Sequence, residues 1–588
     1  MSPSLRSAPD VSAPAPTAGP GKECSLDALV VGSGFGGIYQ LKKLRDQGLS
    51  VKAIDAASDV GGTWFWNRYP GAMSDTESFL YRYSWDRDDL RSYPWPRHYV
   101  QQAEVLAYLR HVVKRHDLRK DIELNTQLLS ARWDEGHRLW TVETSTQGTI
   151  KTRYLVTALG LLSKQNLPEF EGLDTYRGEL YHTGAWPEGV DLEGKRVGVI
   201  GNGSTGVQVI TAIAKDVQKL VCFQRSPQYS VPSGDTDTTI EYRDDINNRY
   251  DDIWKEVRSS AFAFGFEESI IPTMSVSKEQ RQKIFEDAWH QGNGFRFMFG
   301  TFCDISYDED ANAEAAEFIR QKIRSTVKDP EKARKLTPTD YYARRPLCDT
   351  GYYQQFNREH VDIVDLKATP IQKFTTNGIK TADGTIHELD VVICATGFDA
   401  VDGNYTRVCI EGRGGKSLRD QWKDGPVSYL GVAVPEFPNL FMILGPNGPF
   451  TNLPPTIETQ VEFISDLVQE AESRRAAKTP YTIGDRSIGS SAVSENGTNS
   501  TPRCSRGMNG SKSGRPVVEA SRAAEEQWTQ ACDDLSKGSL FRKTDSWIFG
   551  ANVPGKKNTT LFYFGGLGNY RNTLKELAQD HHSGFSIA

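Results

Sequence analysis

The chain has 588 residues, enough for roughly two to four domains and a sizeable core. Its 38% hydrophobic and 25% charged residues, with 52 Gly and 28 Pro, exclude a collagen-like or wholly disordered polypeptide. A formal net charge of −7 speaks against a broad phosphate-neutralising surface, and so against nucleic acid as a partner.

The first 22 residues, rich in Ala, Pro and Ser, lack the continuous apolar stretch of a signal peptide and are expected to form a disordered arm. No run of about 18 apolar residues occurs, so no membrane span is expected. Cys24, Cys222, Cys303, Cys348, Cys394, Cys409, Cys504 and Cys532 are scattered without a CxxC pair. That pattern offers neither a zinc ribbon nor a redox disulfide, and it fits a reduced, cytoplasmic protein without a metal site.

After the arm comes a short apolar strand, Asp27 to Val31, then Gly32-Ser33-Gly34-Phe35-Gly36-Gly37, a helical stretch to about Gln47, and a second strand from Val51 to Ile54 that ends at Asp55. This is a dinucleotide fingerprint in its full context. Gly32 permits the tight turn, Gly34 lets a pyrophosphate approach the backbone, and Gly37 allows helix and strand to pack closely. Asp55 stands where a carboxylate accepts hydrogen bonds from a ribose diol.

A second unit opens with the strand Arg196 to Ile200 and continues through Gly201-Asn202-Gly203-Ser204-Thr205-Gly206 into an apolar helix and the strand Leu220 to Phe223. It ends in Gln224-Arg225-Ser226, where a cation and a hydroxyl suit a 2′-phosphate and replace a ribose-binding acid poorly. The pair of units implies FAD in the first and NADPH in the second. The fold class is therefore α/β, with two Rossmann-like dinucleotide-binding domains.

Residues 235–335 are charged and helix-like and read as a helical insertion. The apolar stretch Leu389 to Cys394, ending in the small-residue turn Ala395-Thr396-Gly397, reads as a buried strand returning the chain to the first domain. Residues 482–514 are dominated by Ser, Gly, Thr and Asn and are expected to be a low-complexity, disordered insertion. The expected organisation is an arm (1–22), an FAD-binding domain in two parts (23–165 and 388–588), an NADP-binding domain in two parts (166–234 and 336–387) and a helical subdomain (235–335).

Several segments bear a further pattern. Tyr176, Gly178, His182, Trp186 and Pro187 fit the spacing F-x-G-x-x-x-H-x-x-x-W-P, with Tyr176 for the usual Phe. Gly61-Gly62-Thr63-Trp64, Tyr69-Pro70-Gly71 and Asp75 fit a second pattern, and Arg344-Arg345-Pro346-Leu347, Asp545-Ser546-Trp547 and Gly550-Ala551-Asn552 fit others. From about residue 25 to 580 the chain thus resembles the Baeyer–Villiger monooxygenases, FAD- and NADPH-dependent flavoproteins.

The resemblance implies an enzyme that inserts one oxygen atom from O2 beside a ketone carbonyl, through a C4a-peroxyflavin, to give an ester or lactone. It implies Arg345 and Asp75 as the catalytic pair: a permanently charged guanidinium that stabilises anionic oxygen, oriented by the acid. It assigns Thr63, Trp64, Trp66 and Tyr81 to FAD contacts, Arg225, Ser226 and Arg344 to the NADP 2′-phosphate, and Trp547 to a loop that closes over NADP and substrate. Arg344 stands where many relatives carry Lys, which keeps the charge and gains a bidentate fork. His182 is read as a residue linking the domains, not as a general base. The expected partners are a small ketone and O2, and the expected assembly is a monomer or weak dimer. An N- or S-oxygenating flavin monooxygenase remains the alternative; it would share both glycine motifs but would have no need of Arg345 with Asp75.

Overall fold

The structure, a computed structural model, describes residues 24–146, 148–478 and 514–588. The expected arm at 1–22 and all of the 482–514 insertion except Gly514 lie outside the described residues.

In chain order, β1 (Cys24–Val31), α1 (Phe35–Asp46) and β2 (Val51–Ile54) form the first βαβ unit, followed by the short helix α2 (Thr63–Trp66). Then come β3 (Ile122–Glu123), β4 (Leu128–Asp134), β5 (Leu139–Thr144), β6 (Gly148–Thr157) and β7 (Glu179–His182). The second βαβ unit is β8 (Arg196–Ile200), α3 (Ser204–Ile213) and β9 (Lys219–Gln224). Five helices follow: α4 (Ile240–Ser259), α5 (Lys278–Gln291), α6 (Gly294–Phe299), α7 (Glu309–Thr326) and α8 (Pro330–Leu336). The strands β10 (Val361–Asp365), β11 (Val391–Cys394), β12 (Cys409–Glu411) and β13 (Leu440–Met442) lead to the long helix α9 (Leu453–Lys478).

Two sheets carry the two turns. The first runs β12-β4-β5-β6-β1-β2-β3, with β13 also paired to β6. Its central strand β1 is parallel to both β2 and β6, with Val30 opposite Ala53 on one side and Val156 on the other. Covered on both faces, β1 has no use for polar alternation and reads as an apolar run. On one face, Ile38, Leu41 and Leu44 of α1 share a core with Val461, Ile464, Leu467 and Val468 of α9, so the distant chain completes the first domain. Each such side chain contributes about 1.5–3 kcal/mol on burial.

The second sheet runs β10-β9-β8-β11-β7, and this corrects one expectation. The strand at 391–394 does not return the chain to the first domain: β11 lies parallel between β8 and β7, with Ile393 opposite Val199 and Tyr181. A fully buried apolar strand carries no mark of which sheet it joins, and its pairing is set by partners far away in sequence. The crossing to the first sheet comes later, at β12 and β13.

The helices expected at 235–335 are present, but they divide their apolar faces between two cores. Ile246, Tyr250, Ile253, Trp254 and Val257 of α4, spaced for one helix face, pack with Phe79, Leu80 and Trp95 beside the first domain. Phe285, Phe297, Phe318, Ile319 and Leu336 from α5 to α8 join the core of the second.

One buried acid stands apart. Glu458 on α9 accepts hydrogen bonds from Ser84 N and Ser84 Oγ, and Arg258 Nη2 of α4 lies 3.8 Å away. Burial pushes its carboxyl up to about 7 against the pull of those donors.

Candidate active site

The two glycine turns are built alike. Gly32 and Gly201 have φ of +108° and +105°, and a Cβ at either would fall 2.4 Å from a carbonyl oxygen, Ala158 O in one domain and Ala395 O in the other. Only glycine fits there. Gly37 and Gly206 sit inside α1 and α3, where a Cβ would come within 1.8 and 2.2 Å of the Gly32 and Gly201 carbonyl oxygens. These four glycines are demanded by the protein's own packing.

Gly34 and Gly203 are different. A Cβ at Gly203 would meet nothing within 4 Å, and one at Gly34 would meet only the Gly62 backbone, at 3.4 Å for its nearest atom. Both residues precede helices whose first turns carry no side-chain cap. Bare backbone in front of free N–H groups is the cradle a dinucleotide pyrophosphate requires, so both turns fit such a group.

Around the first turn, Asp55 receives Ser33 N and Ser33 Oγ on Oδ2 at 2.7 Å each, and Ala57 N on Oδ1 at 2.8 Å. These bonds fix its carboxylate at the end of β2. The turn meets α2 at the Gly34 and Gly62 backbones. On α2, Thr63 and Trp66 are exposed while Trp64 is buried, its indole Nε1 donating to Tyr81 OH at 3.1 Å. Burial pushes the Tyr81 hydroxyl up to about 12, so it stays a neutral partner.

Around the second turn, Asn202 Nδ2 donates to Gln224 Oε1 at 2.9 Å and ties the loop to the end of β9. Arg225 follows directly and is exposed, with Ser226 half-buried beside it. Arg344 pairs with Asp340 Oδ2 at 2.6 Å, while its Nε is buried without a hydrogen-bond partner among the described residues. Such a buried polar atom has room for a hydrogen bond to a ligand or a water. Thr205 sits beside Tyr69, whose hydroxyl donates to Gln208 Oε1 at 2.7 Å.

Between the two turns lies the charged centre. Arg345 Nη2 is 2.7 Å from Asp75 Oδ2, with Asp75 only 7% exposed in its side chain. Arg345 Nη1 donates to Ser204 Oγ at 2.9 Å and to Pro346 O at 3.0 Å, and the guanidinium lies over the Phe295 ring, 5.1 Å from its centroid. Asp75 Oδ1 is buried and unpartnered among the described residues. A planar cation held on three sides in this way is pre-organised to stabilise a nearby oxyanion.

Trp547, half-buried, packs edge-on against Phe562 at 5.8 Å. The start of its segment is anchored by Thr544 Oγ1 donating to Ala343 O at 2.7 Å, two residues before Arg345. His182 closes the second sheet: its Nδ1 accepts from Gly184 N at 3.0 Å and its Nε2 faces Gly397 O at 3.2 Å. Burial pulls its imidazole down to about 4, so it is neutral at ordinary pH. The Tyr176 hydroxyl, extra relative to the usual Phe, finds Leu389 O at 3.1 Å.

The family resemblance paired Asp75 with Arg345, and the structure places the two in contact; Ser204 was assigned to nucleotide contact without its bond to Arg345. Sequence reasoning missed Phe295 and Asn293. The latter lies in Gly292-Asn293-Gly294, whose only sequence signal is that of a turn.

The flavin-binding monooxygenase-like family matches residues 27–249. The chain is 50% identical over 559 residues to a Baeyer–Villiger monooxygenase of Pseudooceanicola batsensis, covering 94% of this chain and 95% of that one. It is also 50% identical to a cyclohexanone 1,2-monooxygenase of Acinetobacter sp. over 567 residues (96% and 97%) and to a phenazine N-monooxygenase of Lysobacter antibioticus over 563 residues (96% and 97%). Among solved structures, cyclohexanone monooxygenase from Rhodococcus sp. Phi1 bound to NADP+ superposes with a TM-score of 0.88 at 52% identity, covering 96% of this chain and 99% of that one.

Proposed function

The chain belongs to the Baeyer–Villiger monooxygenases, NADPH-dependent FAD enzymes that turn a ketone, O2, NADPH and a proton into an ester or lactone, water and NADP+, and we propose that its own substrates are small cyclic ketones, with Arg345 and Asp75 as the catalytic pair. The cyclic-ketone reading draws on the relatives that carry cyclohexanone in their names, and the catalytic assignment on the Asp75–Arg345 pair between the two glycine turns.

Bound in the two turns, NADPH supplies a hydride and FAD supplies activated oxygen from O2. The residues do the rest. Gly34, the α1 N-terminus, Asp55 and the Thr63–Trp66 helix, with Tyr81 behind Trp64, hold the flavin nucleotide. Gly203 and the α3 N-terminus hold the pyrophosphate of the nicotinamide nucleotide, and Arg225, Ser226 and Arg344 hold its 2′-phosphate. The Arg345 guanidinium stabilises the negative charge that gathers on the carbonyl oxygen when the oxygen donor adds to the ketone. Asp75, Ser204 and Phe295 keep that cation in one orientation, so no reorganisation is needed as charge develops. Trp547 and its segment cover the site and exclude water. We further propose that the protein works as a monomer or weak dimer in the cytoplasm, a compartment reading that draws on its scattered cysteines without a CxxC pair.

The observation that carries the reading is the Asp75–Arg345 contact. An N-oxygenating activity, suggested by the phenazine relative, is the second reading. The test is product analysis with cyclohexanone, a thioether and an aromatic N-heterocycle for the native enzyme and Arg345→Ala. Loss of lactone with retained sulfoxide or N-oxide supports ketone oxygenation driven by Arg345. Unchanged lactone formation overturns its role.

A further inference from the structure

Asn293 lies behind the catalytic pair and touches neither nucleotide turn. Its side chain is 2% exposed, yet every hydrogen-bonding position of its amide is used. Oδ1 accepts from Phe295 N at 2.9 Å and from Arg296 N at 3.3 Å, starting α6. Nδ2 donates to Asp75 O at 3.0 Å and to Tyr99 OH at 3.0 Å. The saturated network fixes which end of the amide is which.

The two ends of this one side chain reach two of the groups that hold the guanidinium, Asp75 and Phe295. On the Nδ2 side is the backbone of Asp75, whose carboxylate pairs with Arg345 Nη2. On the Oδ1 side is the helix that carries Phe295, whose ring lies under the Arg345 guanidinium and stacks on Phe264 at 4.1 Å. A residue that only started a helix would use its oxygen and leave its N–H groups to solvent. Here both are committed, one to the acid's own peptide. The flanking glycines leave no room for adjustment: a Cβ at Gly292 would meet Gly234 N at 2.6 Å, and one at Gly294 would meet Leu347 O at 2.4 Å.

We propose that Asn293 is a positioning residue for ketone oxygenation, locking the Asp75 main chain to the Phe295 helix so that the Arg345 guanidinium is held in a single orientation. The proposal rests on Arg345 and Asp75 acting as the catalytic pair. It concerns only the oxygenation half of the cycle; nucleotide binding and flavin reduction run through other residues.

The test uses the FAD-loaded enzyme with NADPH and cyclohexanone, and two variants. Asn293→Asp keeps the oxygen that starts α6 and loses the donors to Asp75 and Tyr99; Asn293→Gly suits the backbone, φ +76°, and loses both ends. FAD content, melting temperature, the single-turnover rate of flavin reduction, KM and kcat for the ketone, and lactone formed per NADPH consumed are measured beside Arg345→Ala. The expected result is a fall in kcat of about fivefold or more and a matching rise in hydrogen peroxide, the scale of one lost buried hydrogen bond, with KM, FAD content and reduction rate within about twofold of native. Full coupling in both variants while Arg345→Ala is inactive on the ketone overturns the inference and leaves the catalytic pair standing. So does a loss of FAD and melting temperature in proportion to activity, which marks a merely structural part. Ketone oxygenation surviving in Arg345→Ala instead overturns the catalytic assignment itself.

Discussion

Arg345 Nη1 donates to Ser204 Oγ at 2.9 Å, so the guanidinium that pairs with Asp75 is also held by the first residue of the helix behind the second glycine turn. A lysine ammonium is a point charge on a flexible stem and cannot reach Asp75, Ser204 and the Phe295 face in one planar arrangement. Arg345→Lys should therefore behave almost as poorly as Arg345→Ala. Both should lose about 10²–10³ in turnover of the ketone, the usual cost of one oxyanion stabiliser. Rapid mixing of the reduced enzyme with oxygen and cyclohexanone checks this, and a lysine variant within a few-fold of native would contradict it.

The two kinds of glycine in the second turn predict opposite phenotypes. Gly206→Ala drives a Cβ to 2.2 Å from Gly201 O and should lower the melting temperature with or without NADP. Gly203→Ala enters open space and should leave the melting temperature of the NADP-free protein unchanged while raising the NADPH KM about tenfold or more, because only the nucleotide meets the new methyl.

In the proposed reading Arg225 and Arg344 hold the 2′-phosphate, which NADH lacks. Arg225→Ala should raise the NADPH KM by about tenfold or more and leave the NADH KM within about twofold. Steady-state kinetics with both coenzymes decide it, and equal effects would remove the 2′-phosphate assignment.

Glu458 makes stability depend on pH in a stated direction. With its carboxyl raised to about 7 in the folded chain and lower in the unfolded one, the folded state holds the extra proton between those values. This contribution is fully present below the unfolded value near 4.5 and is lost as pH rises through 7. Glu458→Gln, neutral and nearly isosteric, should gain stability relative to native between pH 5 and 8, on the order of 2–3 kcal/mol. Thermal melts of the two proteins across that range test it; parallel curves would refute it.

His182 is held neutral, its imidazole at about 4 by burial. Its stabilising contribution is present above the unfolded value near 6.5 and is lost as pH falls towards 4. No limb of the activity profile between pH 5.5 and 8 should belong to it. His182→Gln should keep the shape of the kcat/KM profile even if the absolute rate changes.

The two glycine turns were legible because their requirements are local: a φ near +105°, a carbonyl at 2.4 Å and an acid or an arginine at the end of the next strand. Asp75 and Arg345 were found through the patterns of the family, and no spacing rule would have joined them. What escaped depends on pairing over long stretches of chain. The strand at 391–394 reads equally well in either sheet, since both would bury it on two faces. Ser204 is 141 residues from Arg345, and nothing around it announces a second duty. Asn293 looks like a turn residue until the fold sets Asp75 and α6 on either side of it.

The order of the strands has a consequence for how the protein is made. The sheet of the second nucleotide domain, from β7 to β11, sits wholly inside the chain of the first, whose sheet waits for β12 and β13 and whose core waits for α9. At ordinary rates of translation, β13 leaves the ribosome roughly 20–80 s after β1. During that interval the inner sheet can form while the outer one exposes the Leu155–Thr157 edge of β6 and the apolar face of α1. The edge of β6 and the apolar face of α1 are therefore the surfaces that the growing chain has to keep from other partners until β13 and α9 arrive.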